Sequence, residues 1–186
     1  MERSVLMGGF GGQGVQTCGK LLIYTTTKEE KIATFFSQYG GSMRGGTSNC
    51  TVITSDEEIG DTNKTLVDYV CAFNVPSFKK FESRVAPGGT MIANSTVIDK
   101  SMATRDDIHY VYFPATQIAE ELGSLKALNV VMFGFYCAYS DMVGIDTARS
   151  VVEQRMGKKP AFLELNKKAF DTGVAEAKKA KAEMEG

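Results

Sequence analysis

A glycine-rich segment near the start of the chain constrains the fold more than any other feature of the sequence. Residues 4–22 read SVLMGGFGGQGVQTCGKLL, which contains the pattern G-x-G-x-x-G directly after an apolar run. This spacing is typical of the turn that leads from a buried β-strand into an α-helix in a dinucleotide-binding fold. The segment predicts a strand, a glycine loop at 8–14 and a helix from 15 to about 28. The glycines of the pattern are Gly9, Gly11 and Gly14.

The chemistry of this loop favours an anionic ligand. Glycines adopt positive φ angles and let a ligand approach the backbone closely. The following helix directs its free N–H groups and the positive end of its dipole at the loop. A phosphate or a carboxylate fits such a place. The candidate site residues of the first loop are Gly9, Gly11, Gly12, Gln13 and Gly14.

A complete NAD(P) site needs more than the glycines. An Asp or Glu should end the second strand, about 20 residues further on, to bind the ribose. The second predicted strand, IATFF at 32–36, is followed by Ser37 and Gln38. Glu29 and Glu30 precede that strand and belong at the other end of the sheet. Three interpretations therefore stay open: a free-standing NAD(P) site, a tight turn without a ligand, and a site for another anion.

A second glycine-rich loop lies in FFSQYGGSMRGGTSNCTV, residues 35–52. Loops that follow parallel strands share one edge of the sheet, so this loop is expected beside the first. Its arginine offers a planar fork for a phosphate or carboxylate, and its small hydroxyl residues can donate hydrogen bonds. The alternative is a surface loop with a solvated arginine. The candidate residues here are Arg44, Gly45, Gly46, Thr47 and Ser48.

Alternating strand and helix patterns predict the fold class. They indicate an α/β fold: a single Rossmann-like three-layer domain over residues 1–186, with a largely parallel sheet and a helical C-terminal third. In that third, ALNVVMFGFYCAY at 127–139 is apolar nearly all round and needs cover on every side. It packs either inside its own domain or partly against another subunit. Asp146 is the expected N-cap of the next helix.

Charge and hydropathy exclude several classes of partner. The chain has 21 basic and 22 acidic residues, a net charge of −1, so neither nucleic acid nor an anionic membrane is expected to bind it. No apolar run reaches the roughly 18–20 residues needed to cross a bilayer. The apolar segment at the N-terminus is too short for a signal peptide, and a cytoplasmic location is expected.

The cysteines and the missing catalytic motifs indicate the role of the chain. Cys18, Cys50, Cys71 and Cys137 lie far apart in sequence, without metal-site spacing, so buried reduced thiols and no metal site are expected. No P-loop and no recognisable set of nucleophile, base and carboxylate occurs, and catalytic residues stay unassigned. This pattern favours a chain that shapes a site over one that performs the chemistry alone.

Five segments in a fixed order resemble the γ subunit of 2-oxoacid:ferredoxin oxidoreductases, between about residues 4 and 140. The form M-R-G-G-T-x-N-C is most similar to the 2-oxoglutarate and branched-chain 2-oxoacid enzymes, and less similar to the γ domain of the pyruvate enzyme. The helices after Asp146 carry no diagnostic signature. The segments are GGFGGQGV, SQYGGSMRGGTSNCTVITSDEEIG, NVPSFKKF, PATQIAEELG and ALNVVMFGF.

The resemblance implies a multi-subunit complex that decarboxylates a 2-oxoacid, forms an acyl-CoA and reduces ferredoxin. Thiamine diphosphate and the iron–sulfur clusters then belong to the α, β and in some cases δ subunits, and this chain holds no cofactor alone. Its glycine loops would shape an inter-subunit site for substrate or coenzyme A. Separately from the resemblance, if the apolar segment 127–139 lies partly at an interface, the isolated chain is expected to self-associate or to expose an apolar patch, and a homodimer is compatible with this. The alternatives are a stand-alone NAD(P)-binding oxidoreductase or a small-molecule-binding module.

Overall fold

The computed structural model of the chain describes residues 1–39, 47–157 and 160–185. Strands are interspersed with helices as far as residue 121, and the elements described after it are helical. No helix in these ranges has both the length and the apolar character that crossing a membrane requires. The strands are β1 (Glu2–Phe10), β2 (Ile32–Tyr39), β3 (Thr47–Ser55), β4 (Val67–Ala72), β5 (Val85–Asn94) and β6 (His109–Phe113), and the helices are α1 (Val15–Lys28), α2 (Val75–Phe81), α3 (Ala115–Glu121), α4 (Leu128–Ser140), α5 (Ile145–Met156) and α6 (Pro160–Glu185).

The described strands form one six-stranded sheet in the order β2-β3-β1-β4-β5-β6. β1, β4, β5 and β6 run parallel to one another, whereas β3 runs antiparallel to both β1 and β2. The predicted α/β fold with a largely parallel sheet is therefore confirmed, with β3 as the exception. Because β3 runs antiparallel to β1, Thr47 at the end of the second glycine loop pairs with Phe10 at the carboxyl end of β1.

The first face of the sheet carries most of the core and most of the helices. α4 is buried there against α1, α3, α5 and α6. Phe135 stacks on Phe113 of β6 with ring centroids 3.9 Å apart, and Phe133 packs against Phe170 of α6. Of the two interpretations of the apolar segment 127–139, packing inside its own chain is therefore correct.

The second face has a thinner cover. α2 packs over β1 and β4, followed by a 3₁₀ turn at Glu82–Arg84. The core on this side includes Leu6, Phe78 and Met91. Polar contacts around Glu82 hold the turn to the end of the sheet. The two faces thus differ: the first is stabilised by a large apolar core and the second by a small core and a polar network.

The prediction that Asp146 caps α5 is wrong. Gly144 occupies the N-cap position, and Asp146 lies in the first turn of the helix. The N–H of Gly144 donates to Oε1 of Glu29 (2.7 Å), while its carbonyl accepts from the N–H of Ala148 (3.0 Å). Contacts with a distant segment thus set the start of the helix. The carboxylate of Asp146 still lies near the positive end of the helix dipole, where a negative charge stabilises the helix.

Candidate functional site

The first glycine loop is a short turn between β1 and α1. Gly12 has a φ of 97° and Gly14 a φ of 76°, a left-handed region that side chains with a Cβ rarely adopt. Gly14 is the N-cap of α1 and brings no capping side chain. The first-turn N–H groups of α1 thus lack the side-chain cap that usually satisfies one of them.

Gln13 braces the loop from inside. Its Oε1 accepts hydrogen bonds from the N–H of Phe10 (2.7 Å) and from Nδ2 of Asn74 (3.0 Å). A Cβ on Gly9 would lie 2.7 Å from that same oxygen, so the glycine makes room for the amide. The structure therefore places the oxygen of Gln13 in an internal role, and contact of Gln13 with a ligand or a partner stays a prediction.

Two hollows flank Gly12 at the carboxyl edge of the sheet. The first hollow, of about 330 Å³, lies at the N-terminus of α1 and is bounded by Gly11, Gly14, Gln16, Thr17 and Ser48. Its lining is mixed, because Phe10 and Val15 line it together with the polar side chains and the glycine backbone. The first hollow can therefore receive an anion at the end of the helix.

The second hollow, of about 300 Å³, lies on the other side of Gly12. Val97 and Leu125 line it, and both side chains are largely exposed. Lys126 supplies a cation beside these apolar groups. A Cβ added at Gly12 would meet no atom within 4 Å, so the ridge between the hollows is open to an approaching group. The second hollow is suited to an apolar segment that ends in a negative charge.

The second glycine loop is described only at its end. Arg44, Gly45 and Gly46 lie outside the described residues. Thr47 and Ser48 open β3 and pair with Phe10 and Gly9 of β1, respectively. The expectation that the two loops lie side by side is confirmed for this part. Nε2 of Gln16 joins them, because it donates to the hydroxyl of Ser48 (3.2 Å) and to the carbonyl of Asn49 (2.8 Å).

A buried amide lies directly against the glycine loop. Asn129 of α4 lies against Gly14, and a Cβ at that glycine would lie 2.6 Å from Nδ2 of Asn129. Within the described ranges, Oδ1 of Asn129 has no hydrogen-bond partner. Gly14 is thus required twice, by its positive φ and by the close approach of α4. Asn129 belongs to the segment ALNVVMFGF, one of the five that carry the resemblance, but the sequence pattern gives the residue no particular role.

Two further asparagines, Asn74 and Asn94, hold the backbone at the same edge of the sheet and were not predicted from the sequence. Asn74 caps α2, with Oδ1 accepting from the N–H of Ser77 (2.9 Å). Asn94 accepts from the N–H of Thr116 (3.1 Å) and donates to the carbonyl of Phe73 (3.1 Å). Asparagine between a strand and a helix is a common capping signal, so the sequence offered a cue for Asn74.

The four cysteines lie in the core beneath the loops. Cys18, Cys50, Cys71 and Cys137 are buried and free, as expected. Burial raises the pKa of Cys50 to about 12 and raises the pKa values of the other three thiols. Nucleophilic attack and metal binding both need a thiolate, which these surroundings disfavour. In the part of the chain that the structure describes, no three His, Cys, Asp or Glu side chains are grouped so as to hold a metal.

The surroundings of the glycine loop differ from those of an NAD site. The strand beside β1 is the antiparallel β3, which brings Thr47 and Ser48 to the loop instead of the acidic residue that binds a ribose. The fold and the site together define a Rossmann-like α/β chain with a two-sided groove at the carboxyl edge of its sheet. The sequence profile of the pyruvate ferredoxin/flavodoxin oxidoreductase family matches residues 4–176, and the chain belongs to that family.

Individual relatives agree with the family. The chain is 31% identical to the ketoisovalerate oxidoreductase subunit VorA of Methanothermobacter marburgensis, over 96% of this chain and 37% of that protein. It is 28% identical to the 2-oxoglutarate synthase subunit KorC of the same organism, over 93% of this chain and 95% of that protein. The crystal structure of a keto/oxoacid ferredoxin oxidoreductase γ subunit from Geobacter sulfurreducens superposes with a TM-score of 0.85 at 25% identity, covering 97% of this chain and 98% of that one. The chain thus spans little more than a third of the VorA proteins it matches, and nearly the whole of the KorC protein.

Proposed function

We propose that the chain is the γ component of a 2-oxoacid:ferredoxin oxidoreductase, in which it shapes a site for substrate or coenzyme A at the junction with other subunits. The observation that carries the proposal is the groove on both sides of Gly12. It lies at the edge where open α/β sheets bind ligands, in a chain of this family. VorA and KorC support a branched-chain 2-oxoacid or 2-oxoglutarate as the substrate class.

The chemistry of the two hollows supports coenzyme A more than a small acid alone. Coenzyme A combines phosphate groups with a long, partly apolar arm. The end of α1 and the hydroxyl of Ser48 suit a phosphate or a carboxylate. The exposed Val97 and Leu125, together with Lys126, suit an arm that carries a negative end. A segment of a neighbouring subunit with the same chemistry would occupy the groove in the same way.

The proposal assigns the redox chemistry to other subunits. In the complex, α and β subunits, with a δ subunit in some cases, would hold thiamine diphosphate and the iron–sulfur clusters and pass electrons to ferredoxin. The buried, protonated thiols of this chain do not fit an iron–sulfur cluster. Residues 1–186 would act as one γ-type unit, and Arg44 stays a proposed anion contact on sequence grounds.

The test compares two glycine variants in the assembled complex. A Cβ at Gly11 and a Cβ at Gly60 both meet open space, and neither residue has a positive φ. Gly11→Ala and Gly60→Ala should therefore both keep the melting temperature of the wild type. Only Gly11→Ala narrows the groove, so it should lower kcat/KM for coenzyme A or for the 2-oxoacid by about tenfold or more.

Two results would contradict the proposal. Equal kcat/KM values for Gly11→Ala and Gly60→Ala would show that the groove does not contribute to the reaction. The tagged chain, purified from its source, should bring down larger subunits with thiamine diphosphate and iron–sulfur absorbance. If no such subunits came with it, the chain would not be part of the proposed complex. NADH titration of the isolated chain tests the alternative of a stand-alone NAD(P)-binding oxidoreductase, because tight binding of NADH would favour that function.

A further inference from the structure

The edge strand β2 lacks the usual protection of a sheet edge. β2 pairs with β3 on one side, and among the described residues no strand pairs with its other side. Its sequence, IATFFSQY, has eight residues with no charge and no proline, and its register with β3 has no bulge. Natural edge strands usually carry a charged residue, a proline or a bulge, because an open row of N–H and C=O groups otherwise pairs readily with another chain.

Phe36, an exposed aromatic side chain of β2, lies on the thinly covered second face. Phe36 is opposite Thr51 of β3, which in turn is opposite Leu6 of β1, so the three share that face. The side chain of Phe36 is 53% exposed. α2 covers this face over β1 and β4, while α1 packs on β2 and β3 from the first face. Phe36 therefore offers an apolar group directly beside an open backbone edge.

The opposite edge of the sheet is built differently. β6 has five residues, against eight in β2. The C-terminal part of α6 lies beside it, across a hollow of about 240 Å³ that is lined by Ala180, Met184, Tyr110 and Tyr112. Of the two end strands of the sheet, β2 therefore offers the longer edge.

We propose that β2 pairs antiparallel with β2 of a second copy of this chain and joins two sheets into one. The pairing surface consists of Thr34, Phe35, Phe36, Ser37 and Gln38. A second copy fits because its strand is equally uncharged, so no charge is brought against the edge. The inference does not rest on the proposed function.

The charges near the two ends of β2 select the antiparallel direction. Glu30, Asp56, Glu57 and Glu58 are exposed near the start of β2, where β3 also ends, and they outnumber the two cations that lie near Asp56, Lys31 and the N-terminus. The described residues at the other end, Ser37–Tyr39 and Thr47–Asn49, include no acidic residue. Antiparallel pairing keeps the two acidic clusters at opposite ends of the joined strands, whereas parallel pairing would bring them together.

The alternation of side chains then limits the possible registers, and the exposed ring of Phe36 selects one of them. Around a two-fold axis perpendicular to the sheet, residues that face each other must point to the same face. Pairing Phe36 with its own copy meets this condition and places both exposed rings side by side. In this register Thr34 lies opposite Gln38 of the second copy, with Cα atoms about 4.5–5.5 Å apart, as in any antiparallel pair.

Engineered disulfides test this register directly. The expected Cα separation lies in the range that a disulfide spans, so the double variant Thr34→Cys/Gln38→Cys should form a covalent dimer under mild oxidation. The single variants Thr34→Cys and Gln38→Cys should not, because neither residue faces its own copy. The native cysteines are buried and give no background. Equal cross-linking of the singles and the double, or none in the double, would overturn the register.

Sedimentation of the full-length chain tests the dimer itself. The wild type should be dimeric, and Phe36→Lys should weaken the dimer at least about tenfold, since it sets two cations against each other. Phe162→Lys is the matched control, because Phe162 on α6 is 45% exposed and distant in sequence from β2. Circular dichroism should show that both variants fold. A monomeric wild type, or a dimer that Phe36→Lys leaves unchanged, would overturn the inference.

Discussion

At the scale of single residues, the glycine loop depends on one amide oxygen. Oε1 of Gln13 satisfies the N–H of Phe10 and Nδ2 of Asn74, both near the edge of the core. Gln13→Ala removes the acceptor from two donors, which costs about 1–3 kcal/mol of unfolding free energy. Chemical denaturation of wild type and variant measures this difference.

The control for Gln13 is a change that keeps the oxygen. Gln13→Glu retains an acceptor at the same reach and places a negative charge near the N-terminus of α1, so it should lie within about 1 kcal/mol of the wild type. If Gln13→Ala were as stable as Gln13→Glu, the amide would not brace the loop.

The sequence predicted the glycine positions better than the role of Gln13. Positive φ angles at Gly12 and Gly14 follow from a strand-to-helix turn of this length, and the structure has them. A glutamine within such a turn can point outward to a ligand or inward to the backbone, and no local pattern decides between the two. Its inward contact requires Asn74, which lies 61 residues further along the chain.

At the scale of elements, α4 and α6 cross with their backbones in close contact. A Cβ on Gly134 would overlap the carbonyl oxygen of Phe170, and a Cβ on Gly173 would overlap that of Val131. The two glycines thus make room for each other's helix. Gly173→Ala should destabilise the chain by about 2–3 kcal/mol, because neither backbone can move freely.

Thermal unfolding measures this effect as a lower melting temperature. For a chain of 186 residues, that loss corresponds to about 5–10 °C. Gly60→Ala serves as the control, since its Cβ meets no atom within 4 Å. A melting temperature of Gly173→Ala equal to that of the control would mean that α4 and α6 separate easily.

The elements themselves followed from the sequence more readily than their arrangement. The apolar runs and glycine breaks predicted the strands, and the helix over residues 15–28 is confirmed. The direction of β3 was not predictable locally, because it depends on pairing with β1 and β2 from distant parts of the chain. The prediction of Asp146 as the N-cap was wrong for the same reason, because Glu29, which is distant in sequence, accepts a hydrogen bond from the N–H of Gly144 at the start of α5.

At the scale of the whole molecule, stability on the second face depends on a charged residue in place of a large core. Burial by itself would raise the pKa of Glu82, but hydrogen bonds from Thr104 and Tyr110, with Arg105 nearby, outweigh it and lower the pKa. A lowered pKa means that the folded chain favours the ionised carboxylate more than the unfolded chain does. This contribution is therefore complete above the unfolded pKa of about 4.3 and is lost as the pH falls through it towards the lower folded value.

Glu82→Gln tests this dependence because glutamine resembles the protonated acid. At neutral pH the variant should be less stable than the wild type by about 1–3 kcal/mol, as hydrogen bonds to a charged group are lost. The difference should shrink steadily below about pH 4, where the wild-type carboxylate is itself protonated. Urea denaturation across this pH range measures both curves, and Glu57→Gln at an exposed position controls for the loss of one charge, with an expected change within about 0.5 kcal/mol. If the difference in unfolding free energy between Glu82→Gln and the wild type stayed constant down to acidic pH, the packing of this side chain, and not its charge, would stabilise the second face.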